Sequence, residues 1–262
     1  MVRRRSLDLD PGASPLAPAI NAFNRGNGWY RAIVGRPEGS DWIGLEQLSR
    51  DLDEIDRRIG QLEGLYGGHS GYAAASLIQQ VAHPLISLTA WCSLVGELIP
   101  DIAPHSVWLR QHPQGLFDRI AISGDPTYAG EIADPATSIG ESIVSSLSPL
   151  IESIRAVRKV GGAGMWHGVS DAIARTFIGA ASTLGSVETG VAATEAILRR
   201  APDVIRITPR WHVDRATGMW FSLRSVCCLA YTGTLGLYCD TCPLLDERAI
   251  AARLASNQAG AL

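Results

Sequence analysis

Four of the five cysteines in this 262-residue chain fall in one stretch, CCLAYTGTLGLYCDTC, from Cys227 to Cys242, and two of them are adjacent. A cysteine binds metal as its thiolate, and a nearby cation lowers the thiol pKa enough to keep it deprotonated at neutral pH. Four such ligands suit either a tetrahedral zinc ion or an iron-sulfur cluster. Cys239 and Cys242 form a C-x2-C pair, which can bring two sulfurs onto one metal and is common to both kinds of site. The Cys227-Cys228 pair discriminates more. Successive side chains of a strand point to opposite faces, so one of the two must leave strand geometry. Zinc ribbons use C-x2-C on both sides, whereas a two-iron cluster is wider and accepts a less compact pair. A [2Fe-2S] cluster is therefore the expected cofactor, ahead of structural zinc, a disulfide or a dithiol switch.

The ten residues between the cysteine pairs, LAYTGTLGLY, contain Gly233 and Gly236 and otherwise only apolar and hydroxyl side chains. Such a loop can fold tightly around a cluster and aim backbone N–H groups at sulfur. A four-thiolate cluster is anionic, so backbone donors and the cations Arg224 and Arg215 are candidates for stabilising it and raising its reduction potential. For Arg224 a solvated strand position is an equal reading. The expected sulfur pairing is Cys227 with Cys228 and Cys239 with Cys242. Cys92, beside Trp91 in an apolar segment, is expected to be an inert buried side chain.

Positioning these residues calls for an α+β chain, mainly helical, with a small antiparallel sheet and the cysteines on a C-terminal strand, loop and helix. Leu16, Ile20 and Phe23 suggest a brief first helix. Leu45, Leu48, Leu52, Ile55, Ile59 and Leu62 recur in steps of three and four, which predicts one helix capped by Ser40 or Asp41 with a solvated face of Asp51, Asp53, Glu54, Arg57 and Arg58. A second helix is predicted from about Tyr72 to Leu98, bent near Pro84. Alternating runs around Pro113-Gln114-Gly115 predict a β-hairpin near 106–123.

Asp134-Pro135, or Ser138 with Glu141, opens a helix that carries Ile139, Ile143, Leu147, Leu150, Ile154 and Val157, with Pro149 as a kink. The GGAG at 161–164 lacks the lysine and the preceding strand of a phosphate loop and reads as a hinge or helix break. Trp166, Val169, Ile173 and Phe177 then fall on one helical face, and a further helix spans Val187 to Arg200. VIRITPRWHV and MWFSLRSVCCLAY predict two strands joined by a turn at Asp214 to Gly218. Leu244, Leu245, Ile250 and Leu254 predict a closing helix, and Ser256 to Leu262 a frayed tail. Residues 1–203 thus read as a mainly helical domain and 204–262 as an iron-sulfur-binding segment packed on it in one structural unit.

With 46% apolar residues the chain can bury one large core. Its 26 acidic and 23 basic residues are spread along the chain without a basic block, for a net charge of -3, which argues against nucleic acid as a partner. The longest apolar region, Ala73 to Pro100, is interrupted by Gln79, Gln80, His83 and Pro84 and reads as a buried helix, so no transmembrane segment is expected. The basic start MVRRR continues into Asp8, Asp10, Pro11 and Gly12 where a secretory signal needs an apolar run, so a cytoplasmic protein is expected. In that reducing compartment clustered thiols are more often metal ligands or redox groups than disulfides.

The order C-C-x10-C-x2-C near the C-terminus, followed by Pro243-Leu244, resembles that of the FhuF-like ferric-siderophore reductases. The correspondence is position by position at Cys227, Cys228, Cys239 and Cys242, close over the C-terminal segment and loose over the rest. MWHGVSDAI is similar to a tryptophan-glycine helix start in these proteins, but Val169 stands where the family more often has asparagine, so no role is carried onto Trp166 or His167. The resemblance implies a cytoplasmic oxidoreductase that holds a [2Fe-2S] cluster on the four cysteines and passes one electron to the iron of a ferric siderophore, of hydroxamate type. It implies a ferredoxin or flavoprotein as donor and is compatible with peripheral contact with the inner membrane.

Siderophore oxygens are hard ligands that hold ferric iron far better than ferrous iron, so one electron frees the metal for iron assimilation. The alternatives are a non-catalytic zinc-stabilised interaction protein and an iron-sulfur redox sensor. Trp211, Trp220, Phe221, Tyr231 and Tyr238 could pack against a chelate, although aromatic residues near two strands are more often core.

Overall fold

The apolar periodicities become helices wrapped around one core, in a computed structural model that describes residues 14–67, 69–112, 115–214, 217–234 and 236–259. In chain order the helices are α1 (Ala17–Gly26), α2 (Leu45–Arg50), α3 (Leu52–Tyr66), α4 (Ser70–Gly96), α5 (Pro135–Val157), α6 (Gly162–Thr183), α7 (Val187–Arg200) and α8 (Glu247–Ala259). α4 is central and packs on α1, α3 and α6. From Val81 to Cys92 every side chain of α4 is buried except that of His83. Pro84 lies inside α4, and Pro149 inside α5, without ending either helix. No helix among the described residues is long and apolar enough to cross a membrane.

The strands are β1 (Arg31–Val34), β2 (Trp42–Gly44), β3 (Leu98–Ile99), β4 (Val107–Gln111), β5 (Phe117–Ile122), β6 (Thr127–Tyr128), β7 (Arg210–Val213) and β8 (Trp220–Leu223). β4 and β5 form the expected hairpin, although Pro113 and Gln114 of its turn lie outside the described residues. The main sheet has the order β1-β5-β4-β2. It is mixed rather than wholly antiparallel, because β1 runs parallel to β5. The chain between those two strands passes through α2, α3 and α4, a crossover long enough to return it in the same direction. β3 with β6 and β7 with β8 make separate antiparallel ribbons.

Several local expectations need correction. The helix foreseen from Leu45 to Leu62 is two, because Asp51 leaves helical geometry (φ -92°, ψ 91°) and its carboxylate accepts the Glu54 N–H at 2.9 Å, ending α2 and capping α3. Ser40 and Asp41 cap nothing, since the residues after them form β2. The glycines at 162–164 open α6, and the break falls just before them, at 158–161. Val204 and Ile205 sit in a short 3-10 turn, not a strand. β8 stops at Leu223, so the adjacent cysteines lie beyond it. α8 includes Ser256 and continues to Ala259, while residues 260–262 lie outside the described residues. Leu223, Ile250 and Leu254, with Phe221 and Leu245, form a small second core that holds β8 against α8.

Arg58, expected on a solvated face, is only 2% exposed. β5 brings the Phe117 ring against α3, and the guanidinium lies 4.5 Å from its centroid. Glu54 accepts the Arg58 Nε–H at 2.8 Å. The hydrogen bond from Arg57 holds the Glu54 carboxyl below the usual carboxylate range against the opposing effect of burial, and the Arg58 charge adds to it. A depressed pKa of this kind stabilises the fold above the unfolded-state pKa, and that stabilisation is lost as pH falls through the folded-state value. Glu54→Gln leaves the Arg58 charge without its counterion. Urea unfolding at neutral pH should show a loss of about 2 kcal/mol, below the range for a fully buried pair because Glu54 keeps some contact with water. The gap to the unsubstituted protein should narrow as the pH is lowered.

Candidate functional site

Gln79, Gln80 and His83 interrupt the most apolar helix of the chain, and they do so on one side of it. Together with Tyr72 and Ser76 they recur at the spacing of successive helical turns, and all five line an open cavity of about 320 Å³. α6 contributes Gly164, Met165, Gly168 and Arg175 to the facing wall. Tyr30 and Tyr66 border it, and the segment beyond β8 supplies Arg224, Val226, Cys227, Cys228, Ala230 and Cys239. Gln79 Oε1 and both polar atoms of the Gln80 amide are buried without a hydrogen-bond partner among the described residues. Leaving such a group unpaired costs about 1–3 kcal/mol, so these amides need a partner, which water or a ligand in the open cavity can supply.

A buried carboxylate fixes the cysteine segment to α6. Asp171, 4% exposed, accepts the Ser225 N–H at 2.9 Å and the Ser225 hydroxyl at 2.8 Å. Burial raises the Asp171 carboxyl above its usual range, opposed by Ser225 and Arg224. The Arg224 Nε stands 3.9 Å from Asp171 Oδ2, and the Arg224 N–H reaches the Thr241 carbonyl at 3.3 Å. The end of β8 is thereby joined at once to α6 and to the turn that holds the C-x2-C pair.

Past this tether the chain bends sharply. Leu229 adopts the left-handed region at φ 62°, a conformation rarely taken by a branched side chain. Its N–H points at Cys227 Sγ from 3.4 Å, and the Ala230 backbone hydrogen-bonds Cys228. The Thr234 N–H and hydroxyl both donate to the Tyr66 carbonyl, at 2.7 and 2.6 Å, which pins the loop to the end of α3. Gly67 there has φ 57°, and any Cβ would collide with Thr234 Oγ1. The Cys242 N–H closes the C-x2-C turn on the Cys239 carbonyl at 3.1 Å, and Arg253 of α8 donates to the Tyr238 carbonyl at 2.7 Å.

These constraints gather the four sulfurs, with Cys228 acting most strongly on Cys239 and Cys227 facing Cys242. The loop folds back and lays the second cysteine pair against the first, so that Cys227 also lies near Cys228, and Cys239 near Cys242. All four thiols are free. Hydrogen bonding from Cys239 lowers the Cys228 pKa strongly, with Arg224 and the Ala230 backbone assisting against burial, and Cys239 as the donor is pushed up in turn. Burial raises Cys227. Burial also pushes Cys92 up to about 12, so it stays a thiol.

Among the described residues no group of three or more His, Cys, Asp or Glu side chains is set to hold a single metal ion.

His83 is held well below its usual pKa by burial and by the charges of Arg175 and Arg224, so it is neutral at neutral pH. Its Nε2 contacts Arg175 Nη2. A guanidinium can only donate, so Nε2 accepts and Nδ1 carries the proton. Arg175 is surrounded by α4, α6 and the cysteine segment, yet it is exposed to solvent through the cavity it lines.

Arg224 is placed among the cysteines, whereas Arg215 lies outside the described residues. None of the five aromatic residues singled out near the cysteines lines the cavity. Trp211 donates to Glu195 at 3.1 Å, Phe221 packs in the small core, and Tyr231 stacks on Tyr238 with centroids 5.3 Å apart. The aromatic rings at the cavity are Tyr30, Tyr66 and Tyr72, with Tyr66 and Tyr72 5.2 Å apart. No protein-family model matches this chain, and no curated protein matches it.

Two measurements probe this arrangement. Asp171→Ala removes the acceptor of both Ser225 hydrogen bonds and should cost about 1–3 kcal/mol in chemical denaturation, whereas Asp171→Asn, which keeps a carbonyl oxygen there, should cost clearly less. In reduced, metal-free protein, iodoacetamide at mildly acidic pH should modify Cys228 first, as mapped by mass spectrometry. Arg224→Met should slow that reaction roughly threefold or more by removing the cation beside the thiolate.

Proposed function

We propose that this protein is a ferric-siderophore reductase that holds a [2Fe-2S] cluster on Cys227, Cys228, Cys239 and Cys242. One juxtaposition carries the reading: three of the four sulfur-bearing residues border the cavity that α4 and α6 leave open. A chelate entering that cavity would stand directly against the cluster's ligand residues. The cysteine order, with its resemblance to the FhuF-like reductases, points to the same chemistry. In this reading β8, the cysteine loop and α8 form the cluster-binding unit, and the protein works in the cytoplasm, drawing electrons from a ferredoxin or flavoprotein.

When bound, the cluster supplies one-electron transfer. The chain's own groups supply everything around it. Arg224 and the N–H groups of Leu229 and Ala230 offset the negative charge of the thiolates, which favours acceptance of an electron. Asp171 and Ser225 hold Arg224 and the first cysteine pair at a fixed distance from α6. Gln79, Gln80 and the three tyrosines offer hydrogen-bonding groups to the chelate. Iron release needs no acid or base on the protein, because hard oxygen ligands bind the ferrous ion weakly once the electron has arrived.

The deciding experiment is anaerobic. The reduced protein is mixed with a ferric siderophore, and bleached visible absorption should recover as ferrous iron is captured by a ferrous-specific chelator. Failure of every chelate class to reoxidise the reduced protein would remove the proposed activity. A colourless protein containing zinc and no iron or sulfide would favour the zinc-stabilised alternative instead. Cys228→Ser is expected to lose the visible spectrum and the bound iron, and Cys92→Ala to keep both, since Cys92 lies in the core away from the cluster ligands.

A further inference from the structure

We infer that Leu229 is a positioning residue for the adjacent cysteines: anchored on α4 in a left-handed conformation, it aims two successive backbone N–H groups at Cys227 and Cys228 and so, within the cluster reading on which this rests, sets the reduction potential. Two consecutive residues of an extended chain send their side chains to opposite faces, so Cys227 and Cys228 can serve one site only if the chain turns at once. It does so at Leu229, with φ 62° and ψ 13°, and Ala230 then opens a 3-10 turn that runs to Thr232. A left-handed residue followed by a right-handed one makes consecutive N–H groups converge, the arrangement that binds anions at backbone nests.

Here the groups that receive them are sulfurs. The Leu229 N–H stands 3.4 Å from Cys227 Sγ, and the Ala230 N–H hydrogen-bonds Cys228. Each sulfur of the adjacent pair thus takes the N–H found two residues further along the chain.

Leucine is an unusual residue for that turn. Glycine adopts positive φ freely, whereas a Cβ crowds the neighbouring carbonyl, so surrounding contacts must hold the conformation. The Leu229 carbonyl accepts the Thr232 N–H at 2.9 Å and the Thr232 hydroxyl at 2.7 Å. Its side chain lies over the first turn of α4, with Cδ1 3.4 Å from the place that a Cβ on Gly71 would take. Further along, a Cβ on Gly233 would lie 3.1 Å from the Tyr66 carbonyl and 3.2 Å from the Tyr72 ring, so its absence lets the loop settle closely on α3 and α4. Asp171 holds the chain before the cysteine pair and Thr234 holds it after, and the leucine side chain fixes the turn between them.

Leu229→Gly keeps the left-handed region accessible and removes the anchor, which separates the side chain from the turn it enforces. Loss of N–H donors at sulfur disfavours the reduced, more negative state. The full-length protein as purified is compared with Leu229→Gly, Leu229→Met and Thr232→Val. Hydrogen–deuterium exchange, resolved to single amides by fragmentation in the mass spectrometer, should find the Leu229 and Ala230 N–H groups protected, and Leu229→Gly should speed their exchange at least about tenfold. Spectroelectrochemical titration should show a lower midpoint potential in Leu229→Gly, equivalent to at least about a threefold shift in the reduction equilibrium. Leu229→Met, which keeps the reach of the side chain, should stay close to the unsubstituted protein in both. Thr232→Val, which removes one of the two donors to the Leu229 carbonyl, should move both values the same way as Leu229→Gly but less.

Free exchange of the Leu229 amide in the unsubstituted protein, or unchanged exchange in Leu229→Gly, would overturn the inference. Should Leu229→Gly lose its cluster, the potential of Thr232→Val decides in its place. The exchange comparison needs no cluster, so a protein that holds zinc and no iron or sulfide, with protection that depends on Leu229, defeats the cluster reading alone. A cluster whose potential is the same with and without the leucine side chain defeats this inference alone.

Discussion

The hydrogen bonds from Ser225 to the buried Asp171 carboxylate are the contacts on which the site depends. Asp171 itself is buried, where an unpaired carboxylate would be costly, so these bonds are strongly favoured. They fix the residues that lead into Cys227 and Cys228 relative to α6, and α6 packs along α4. The cavity wall formed by Gln79, Gln80 and His83 is therefore held at a set distance from the sulfurs. The packing of β8 on α6 and the Thr234 contacts with Tyr66 are the other links between the cysteine segment and the helical body.

Charge is distributed around that tether in a graded way. One carboxylate, one arginine and the cysteine thiols form a nearly balanced inner group, in which Arg224 lies between Asp171 and the Cys228–Cys239 pair. Arg175 stands outside it, supported by a neutral histidine. The low polarity of the surroundings makes each placement consequential: burial shifts His83, Asp171 and the phenols of the cavity toward their uncharged forms. The fixed positive charge of the arginines and the ionisable sulfurs are then the main electrostatic features a ligand meets. The same logic separates Cys92 from the other cysteines, since an apolar core offers no cation or donor to stabilise its thiolate.

Much of the helical framework was legible in the chain. Val187–Arg200 and the boundaries of the 107–122 hairpin follow local pattern, and buried Ile20, Phe23, Trp166 and Phe177 follow helical periodicity. The failures share a cause. Asp51 split a helix because its side chain competes for the backbone N–H of Glu54, an outcome that hydrophobic spacing cannot register. Arg58 was buried because a strand distant in sequence delivered Phe117 to it. β1 became parallel to β5 only because the helices between them could return the chain to the sheet in the same direction.

The sequence by itself determined that four thiols would be concentrated near the C-terminus, that a glycine-bearing loop would separate them, and that a long apolar helix would carry Gln79, Gln80 and His83 along one side. Those properties reside in residue type and in the 3.6-residue period of the helix. Only the tertiary structure decided which sulfurs meet, that Arg224 rather than a solvated strand residue attends them, and that Tyr30, Tyr66, Tyr72 and Arg175 complete the cavity. The reason is that these groups come from elements far apart in the chain. Their meeting is set by helix packing, by one buried carboxylate and by the left-handed turn at Leu229, and none of these leaves a periodic trace in the order of the residues.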